Sequence, residues 1–261
     1  MVDEAQKQAF DSRGFFVLPR LFGPAEVAEV RAAFERLYDE AQRLRQTGDH
    51  AGAFFVLEGR ADGPVVVQRV VWAGGMEPAL LRLSEDPRIV GPALELLGTP
   101  RCEQLLCQAH FKMPNDGVAF DWHQDIQHRD KGPGTWRDVN GRGSYVQSIL
   151  LVDDMNDVNG PLEFVPADAV RFDEGGRMIS GTIDAARAIP VLGEAGDVLF
   201  FGPWAVHGSL PNQSSMPRRV LINGYAAPGA NGRKYPGRGA CRVLPREAAD
   251  PRPADAAAVA P

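Results

Sequence analysis

From Glu103 onward the chain is cut every few residues by Gly, Pro or Asn, and the pieces between the cuts are short and rich in β-branched and aromatic residues. That pattern reads as strands rather than helices. The candidates are Glu103–Lys112, Gly117–Trp122, Tyr145–Val152, Leu162–Val165, Ala188–Leu192, Asp197–Phe201, Ala205–His207 and Val220–Ala226. A series of short strands behind a helical N-terminal part predicts a mostly β fold with N-terminal helices, its core a double-sheet jelly roll.

The residues before Glu103 have a different character. Glu4–Ser12 reads as a short helix, and Gly14–Pro19 as a compact apolar strand entering the core. Pro24 suits a first helical turn, and Val27, Val30, Phe34, Leu37, Ala41 and Leu44 follow at three- and four-residue spacing, predicting an amphipathic helix to about Arg45. Phe54–Leu57 and Val65–Trp72 read as strands. Glu77–Ser84 and Arg88–Leu97 read as two short helices, the second closed by Gly98. The organisation expected is one domain over 1–227, with 1–100 mainly helical and 101–227 the jelly roll. The Pro-, Ala- and Arg-rich stretch 228–261 is expected to be partly disordered.

Composition narrows the function. The 261 residues carry a net charge of −6, which disfavours nucleic acid as a partner because phosphate binding wants a basic face. The longest apolar runs are too short for a membrane span, and the polar start Met1-Val2-Asp3-Glu4 lacks the apolar core of a secretory signal. Three cysteines (Cys102, Cys107 and Cys241), an odd number, suggest reduced thiols in a cytoplasmic protein. The partner expected is a small molecule, with no nucleic acid and no membrane; oligomeric state is left open.

Chemistry is concentrated around Trp122-His123-Gln124-Asp125. On an extended strand, side chains two apart share a face, so His123 and Asp125 are expected to converge. Such a tripeptide also fits a polar strand end. A second histidine, His207, stands at the end of an apolar run in Gly202-Pro203-Trp204-Ala205-Val206-His207-Gly208-Ser209. Two histidines and one carboxylate make the facial set that leaves iron three open positions. Eleven residues after His207 comes Arg218, either a surface pair with Arg219 or a two-pronged grip for a carboxylate.

The order His-x-Asp, then His-Gly-Ser, then Arg resembles the phytanoyl-CoA dioxygenase family of Fe(II)/2-oxoglutarate-dependent oxygenases. Asn159-Gly160-Pro161-Leu162-Glu163-Phe164-Val165-Pro166, the Gly196–Phe201 strand and Gly14–Leu18 add to the likeness, which spans roughly residues 10 to 227. The resemblance implies a double-stranded β-helix (cupin-like) core with Fe(II) on His123, Asp125 and His207. It further implies 2-oxoglutarate on Arg218 and Ser209, with O2 as co-substrate. A polar residue on the strand before His123 is also implied; Gln108, His110 and Lys112 share a face, and Gln108 is the choice. A family lysine further upstream corresponds to Gln68 or Arg69. Asp125 argues for oxygenation, since halogenating relatives replace that carboxylate. The segment Pro166-Ala167-Asp168-Ala169 departs from the family's Pro-Gly-Ser-His.

The resulting expectation is a dioxygenase that hydroxylates a C–H bond of a natural-product or amino-acid-type metabolite. The loop 126–143 is its candidate lid. His128, Trp136, Arg137, Tyr145, Gln147 and Arg69 are candidates for lid or substrate contact, while Trp204, Phe120, Trp122 and Phe164 are read as packing. The rival readings are a cupin-type metalloenzyme that uses no keto acid, and a jelly-roll binding module without turnover.

Overall fold

A computed structural model describes residues 2–60, 62–232 and 242–245. In chain order the elements are α1 (Glu4–Arg13), β1 (Phe15–Leu18), α2 (Pro24–Leu44), β2 (Gly48–His50), β3 (Ala53–Glu58), β4 (Val66–Val71), α3 (Pro78–Ser84), α4 (Pro87–Leu97), β5 (Cys102–Lys112), β6 (Phe120–His123), α5 (Ile126–Arg129), β7 (Tyr145–Leu151), β8 (Glu163–Val165), β9 (Ile189–Pro190), β10 (Val198–Phe201), β11 (Val206–Ser209), β12 (Arg218–Ala226) and β13 (Arg242–Leu244).

Two antiparallel sheets carry the fold. The larger runs β1-β10-β7-β12-β5-β4-β3-β2, with β13 also on β5; the smaller runs β6-β11-β8-β9. Strand parity divides the large sheet into two apolar faces. Cys107, Ala109, Phe111, Val146, Leu150 and Leu221 point toward the helices and join Val27, Val30, Phe34 and Leu37 of α2 in the main core. Ile149, Leu151, Leu199, Phe201 and Val220 point the other way and meet Phe164 of the small sheet. The result is helices on one face of the large sheet and the small sheet on the other, a jelly roll.

Local chemistry explains the framing helices. The Glu26 carboxylate accepts from the Gly23 amide at 2.9 Å and pairs with Arg88 at 2.6 Å, closing the first turn of α2 and tying it to α4. Capping by Asp3 and Gly14 sets α1. At Gly224 a Cβ would run into the Tyr145 hydroxyl, so the bulge in β12 there needs glycine.

Several boundaries differ from the sequence reading. Gly117–Ala119 stay outside β6, and Ala188–Leu192 shrinks to Ile189–Pro190, where Pro190 has no amide to extend the ladder. Loop 126–143 begins with the helical turn α5 and ends in turns held by Asp138, which accepts from the amides of Asn140, Gly141 and Gly143. β2 and β13 are polar or short and gave no apolar pattern; each gains order from the strand it pairs with. Most of 228–261 lies outside the described residues.

Arg218 and Arg219 begin β12 and face opposite ways, and both are buried. Arg219 grips Asp153 with Nε at 2.8 Å and Nη2 at 3.0 Å and also pairs with Glu35 of α2. Arg219→Ala is expected to lower the unfolding free energy by about 3 kcal/mol, because it breaks a buried ion pair and leaves Asp153 to the more exposed Arg31 at 3.3 Å. Arg218→Ala should cost less. Urea unfolding of the two variants side by side is the check, and equal losses would contradict this division of labour.

Candidate metal centre

The two histidines meet because β6 and β11 are antiparallel neighbours in which His207 pairs with His123 across the ladder. Their rings lie 4.2 Å apart. Asp125 arrives differently from the sequence expectation. β6 ends at His123, and Asp125 is the N-cap of α5 with helical backbone angles. A tight turn, not strand parity, swings its carboxylate back to the histidines. The distances are 3.8 Å from Oδ1 to His123 Nε2 and 3.7 Å from Oδ2 to His207 Nε2, with all three donors within 4.8 Å of one another.

Hydrogen bonds set the histidines for metal binding. His123 Nδ1 donates to the Asp121 carbonyl at 2.7 Å, and His207 Nδ1 to the Ala205 carbonyl at 2.9 Å. Each ring is therefore held with Nδ1–H on a carbonyl and turns Nε2 to the centre, the orientation a metal ligand needs. Burial against Phe164 and Phe201 pushes the His207 pKa down to about 4, with the nearby His123 adding to the effect, so the ring is neutral at physiological pH. Two imidazoles and one carboxylate fit a divalent iron, zinc or manganese ion and leave part of the coordination sphere open.

The residue between the ligands has a structural task that a His-x-Asp pattern does not reveal. Gln124 is fully buried. Its amide donates to the carbonyls of Gly176 (3.1 Å) and Trp204 (2.8 Å) and accepts from the Met178 amide at 2.8 Å. It thereby fastens the ligand turn to the segment that leads into His207. Gln147, on the inner face of β7, donates to Asp125 and fixes that carboxylate. Tyr145 lies two residues earlier on the same face, with the Arg129 guanidinium 4.8 Å above its ring and Trp136 edge-on at 5.9 Å.

Arg218 lies at the far side of the centre. Its Nε donates to the Gly160 carbonyl at 3.1 Å, with Nη2 bonded to the same oxygen, and burial draws its pKa down to about 10. Gly160 has φ +69°, and a Cβ there would strike the Leu210 carbonyl. The Asn-Gly-Pro motif thus supplies the one carbonyl that aims Arg218. Ser209 Oγ accepts from Lys112 Nζ at 2.7 Å. Gln108, the sequence choice on this face, instead accepts from His110 Nε2 at 3.0 Å. His110 pairs across the ladder with Arg69. Burial, and then the charges of Arg69, Arg218 and Lys112, hold its pKa well below the ordinary histidine value.

The remaining candidates spread outward. His128 stands at the rim, 5.4 Å ring to ring from His123. Arg137 is exposed, and its amide donates to the Ala230 carbonyl at 2.9 Å. Trp204 packs beside Gly143 and Gly176. Sequence parity put Lys112 on the right face but could not single it out. Gln124 and Gly160 had no signal beyond lying inside motifs.

Comparison with known proteins supports the same assignment. The phytanoyl-CoA dioxygenase model matches residues 10–220. An ectoine dioxygenase of Bordetella bronchiseptica is 28% identical over 84% of this chain and 74% of its own. An L-proline trans-4-hydroxylase of Streptomyces griseoviridis is 26% identical over 84% of each chain. The crystal structure of EvdO2 from Micromonospora carbonacea var. aurantiaca complexed with 2-oxoglutarate superposes with a TM-score of 0.63 at 20% identity, covering 92% of this chain and 97% of that one. With a family match across most of its length and a His-Asp-His triad that fits a metal ion, this chain belongs to the phytanoyl-CoA dioxygenase family.

Proposed function

We propose that the protein is an Fe(II)- and 2-oxoglutarate-dependent dioxygenase that hydroxylates a C–H bond of a small amino-acid-type metabolite or natural product in the cytoplasm. The observation that carries this reading is the convergence of two histidine Nε2 atoms and one carboxylate on a single point. Likeness to an ectoine dioxygenase and a proline hydroxylase supports a compact, amino-acid-type substrate. Cys102 and Cys107 are buried free thiols, which suits a reducing compartment. No helix among the described residues is long and apolar enough to cross a membrane.

Bound at these residues, iron and 2-oxoglutarate would supply the oxidising chemistry, with O2 as co-substrate and succinate and CO2 as products. The chain's own contribution is placement. His123 and His207 hold the metal through Nε2, their ring planes fixed by the Nδ1 hydrogen bonds. Asp125 adds the carboxylate that Gln147 orients. That carboxylate fills the position a halide would need, which favours hydroxylation. Arg218 and Ser209 receive the far carboxylate of the keto acid. His128 and Arg69 are the rim residues proposed for substrate contact, while Trp136 braces Tyr145.

Anaerobic protein with Fe(II) is expected to develop a weak visible charge-transfer band when 2-oxoglutarate is added. The double variant Asp125→Ala/His207→Ala should lose it, and no band in the wild type would sink the proposal. Succinate release across a panel that includes L-proline and ectoine then identifies the substrate.

Arg218→Ala should weaken 2-oxoglutarate binding about tenfold or more while leaving Fe(II) bound. Gly160→Ala should act in the same direction, since it displaces the carbonyl that aims Arg218. Unchanged keto-acid affinity in both would refute the anchor.

Acid should act through His207. Its folded pKa is about 4, below the unfolded value of about 6.5. Between those values the unfolded chain takes up a proton that the folded chain refuses, so metal-free stability falls as pH drops through that window. Urea unfolding at stepped pH should show a shallower decline in His207→Gln than in the wild type; identical slopes would contradict the burial argument.

A further inference from the structure

Among Gln108, His110 and Lys112, the site-facing residues at the end of β5, Lys112 is the unusual one. It is only 1% exposed, and lysine is almost never that buried without a partner. Its ammonium has three protons to donate. One goes to Ser209 Oγ at 2.7 Å and one to the Leu210 carbonyl, and both acceptors are neutral. Across the ladder it pairs with Arg218, itself buried and bonded to a carbonyl. Among the described residues neither cation makes an ion pair. The Asp116 carboxylate is occupied by the amides of Met113 and Val118. Glu163 on β8 acts on Lys112 from a distance, and the Phe120 ring walls one side with its centroid 5.7 Å from Nζ.

Two buried cations side by side are costly unless an anion joins them. The cost is visible in Lys112, whose pKa is pushed down to about 6, by burial first and by Arg218 second. The geometry shows where an anion would go. By donating to Ser209 Oγ, Lys112 turns the serine's own proton away from itself, free to donate onward. A carboxylate that accepts from Ser209 and Arg218 lies beside the remaining Lys112 proton. We propose that Lys112 is a second cationic anchor for the distal carboxylate of 2-oxoglutarate, closing a three-point clamp with Arg218 and Ser209. The inference rests on the dioxygenase reading above and deepens it: the clamp selects keto acids that carry a second carboxylate.

The test compares 2-oxoglutarate with 2-oxopentanoate, which chelates iron through the same atoms but has a methyl group where the distal carboxylate stands. Both are titrated anaerobically into the Fe(II) protein, followed by the charge-transfer band. Lys112→Met is expected to lose affinity for 2-oxoglutarate about tenfold or more while binding 2-oxopentanoate and Fe(II) nearly as the wild type does. Undiminished 2-oxoglutarate affinity, or an equal loss for both keto acids, overturns the assignment, the second outcome marking Lys112 as a brace for the Ser209–Leu210 turn only. Absence of 2-oxoglutarate binding in the wild type overturns the dioxygenase reading itself, and this inference with it.

A second measurement needs no variant. Calorimetry of the wild-type Fe(II) protein at about pH 7.5, in buffers of different ionisation heat, should show proton uptake with 2-oxoglutarate and less with 2-oxopentanoate, because only the former recharges a depressed lysine. Equal proton exchange for the two acids would overturn the proposal even if Lys112→Met failed to fold.

Discussion

The pairing of β6 with β11 is the constraint on which the site depends. It sets His123 directly opposite His207 in the small sheet, and the carbonyls of Asp121 and Ala205 then fix each ring by the same hydrogen bond, two residues back along the chain. Once that pairing is made, the third ligand needs only a turn after β6. Gln124 holds that turn against the Trp204 backbone, so the ligand segment and the segment that delivers His207 are joined twice, through the ladder and through a buried amide. Preorganisation of this kind is what lets ligand side chains hold an ion without first being ordered by it.

The large sheet contributes electrostatics rather than ligands. Its site-facing side gathers Lys112, Arg218 and the His110–Arg69 pair, while Asp116 is occupied by backbone amides and Asp153 by Arg219. Burying uncompensated positive charge costs stability. The same strand shows the contrast at single-residue resolution. Arg219 is neutralised by Asp153 and Glu35 and ties the sheet to α2, whereas Arg218, one residue before it, is held among the described residues by the Gly160 carbonyl alone. Strand parity sends one arginine toward α2 and the other toward the side of the small sheet.

The metal end of the centre is built differently. Asp125 is the carboxylate there, and it is oriented by Gln147 from the large sheet. The centre thus draws on both sheets: two histidines from the small one, Asp125 from the turn that follows it, orienting groups and cations from the large one. The layers are held in register by Phe164, which stacks on Phe15 and lies against both Phe201 and His207.

The sequence by itself determined the fold class, the long amphipathic α2 and most strands, because apolar periodicity and Gly/Pro punctuation are local signals. It also marked His123, Asp125, His207, Ser209 and Arg218, through motif order alone. What it left undecided was everything set by contact across strands. The stapling by Gln124, the aiming of Arg218 by Gly160 and the choice of Lys112 over Gln108 beside Ser209 all depend on partners roughly 50 to 100 residues away in the chain, and the turn that brings Asp125 back to the histidines has no periodic signal. Side-chain parity narrows such choices to a face; only the register of the packed sheets decides which atom lies within hydrogen-bond reach of which.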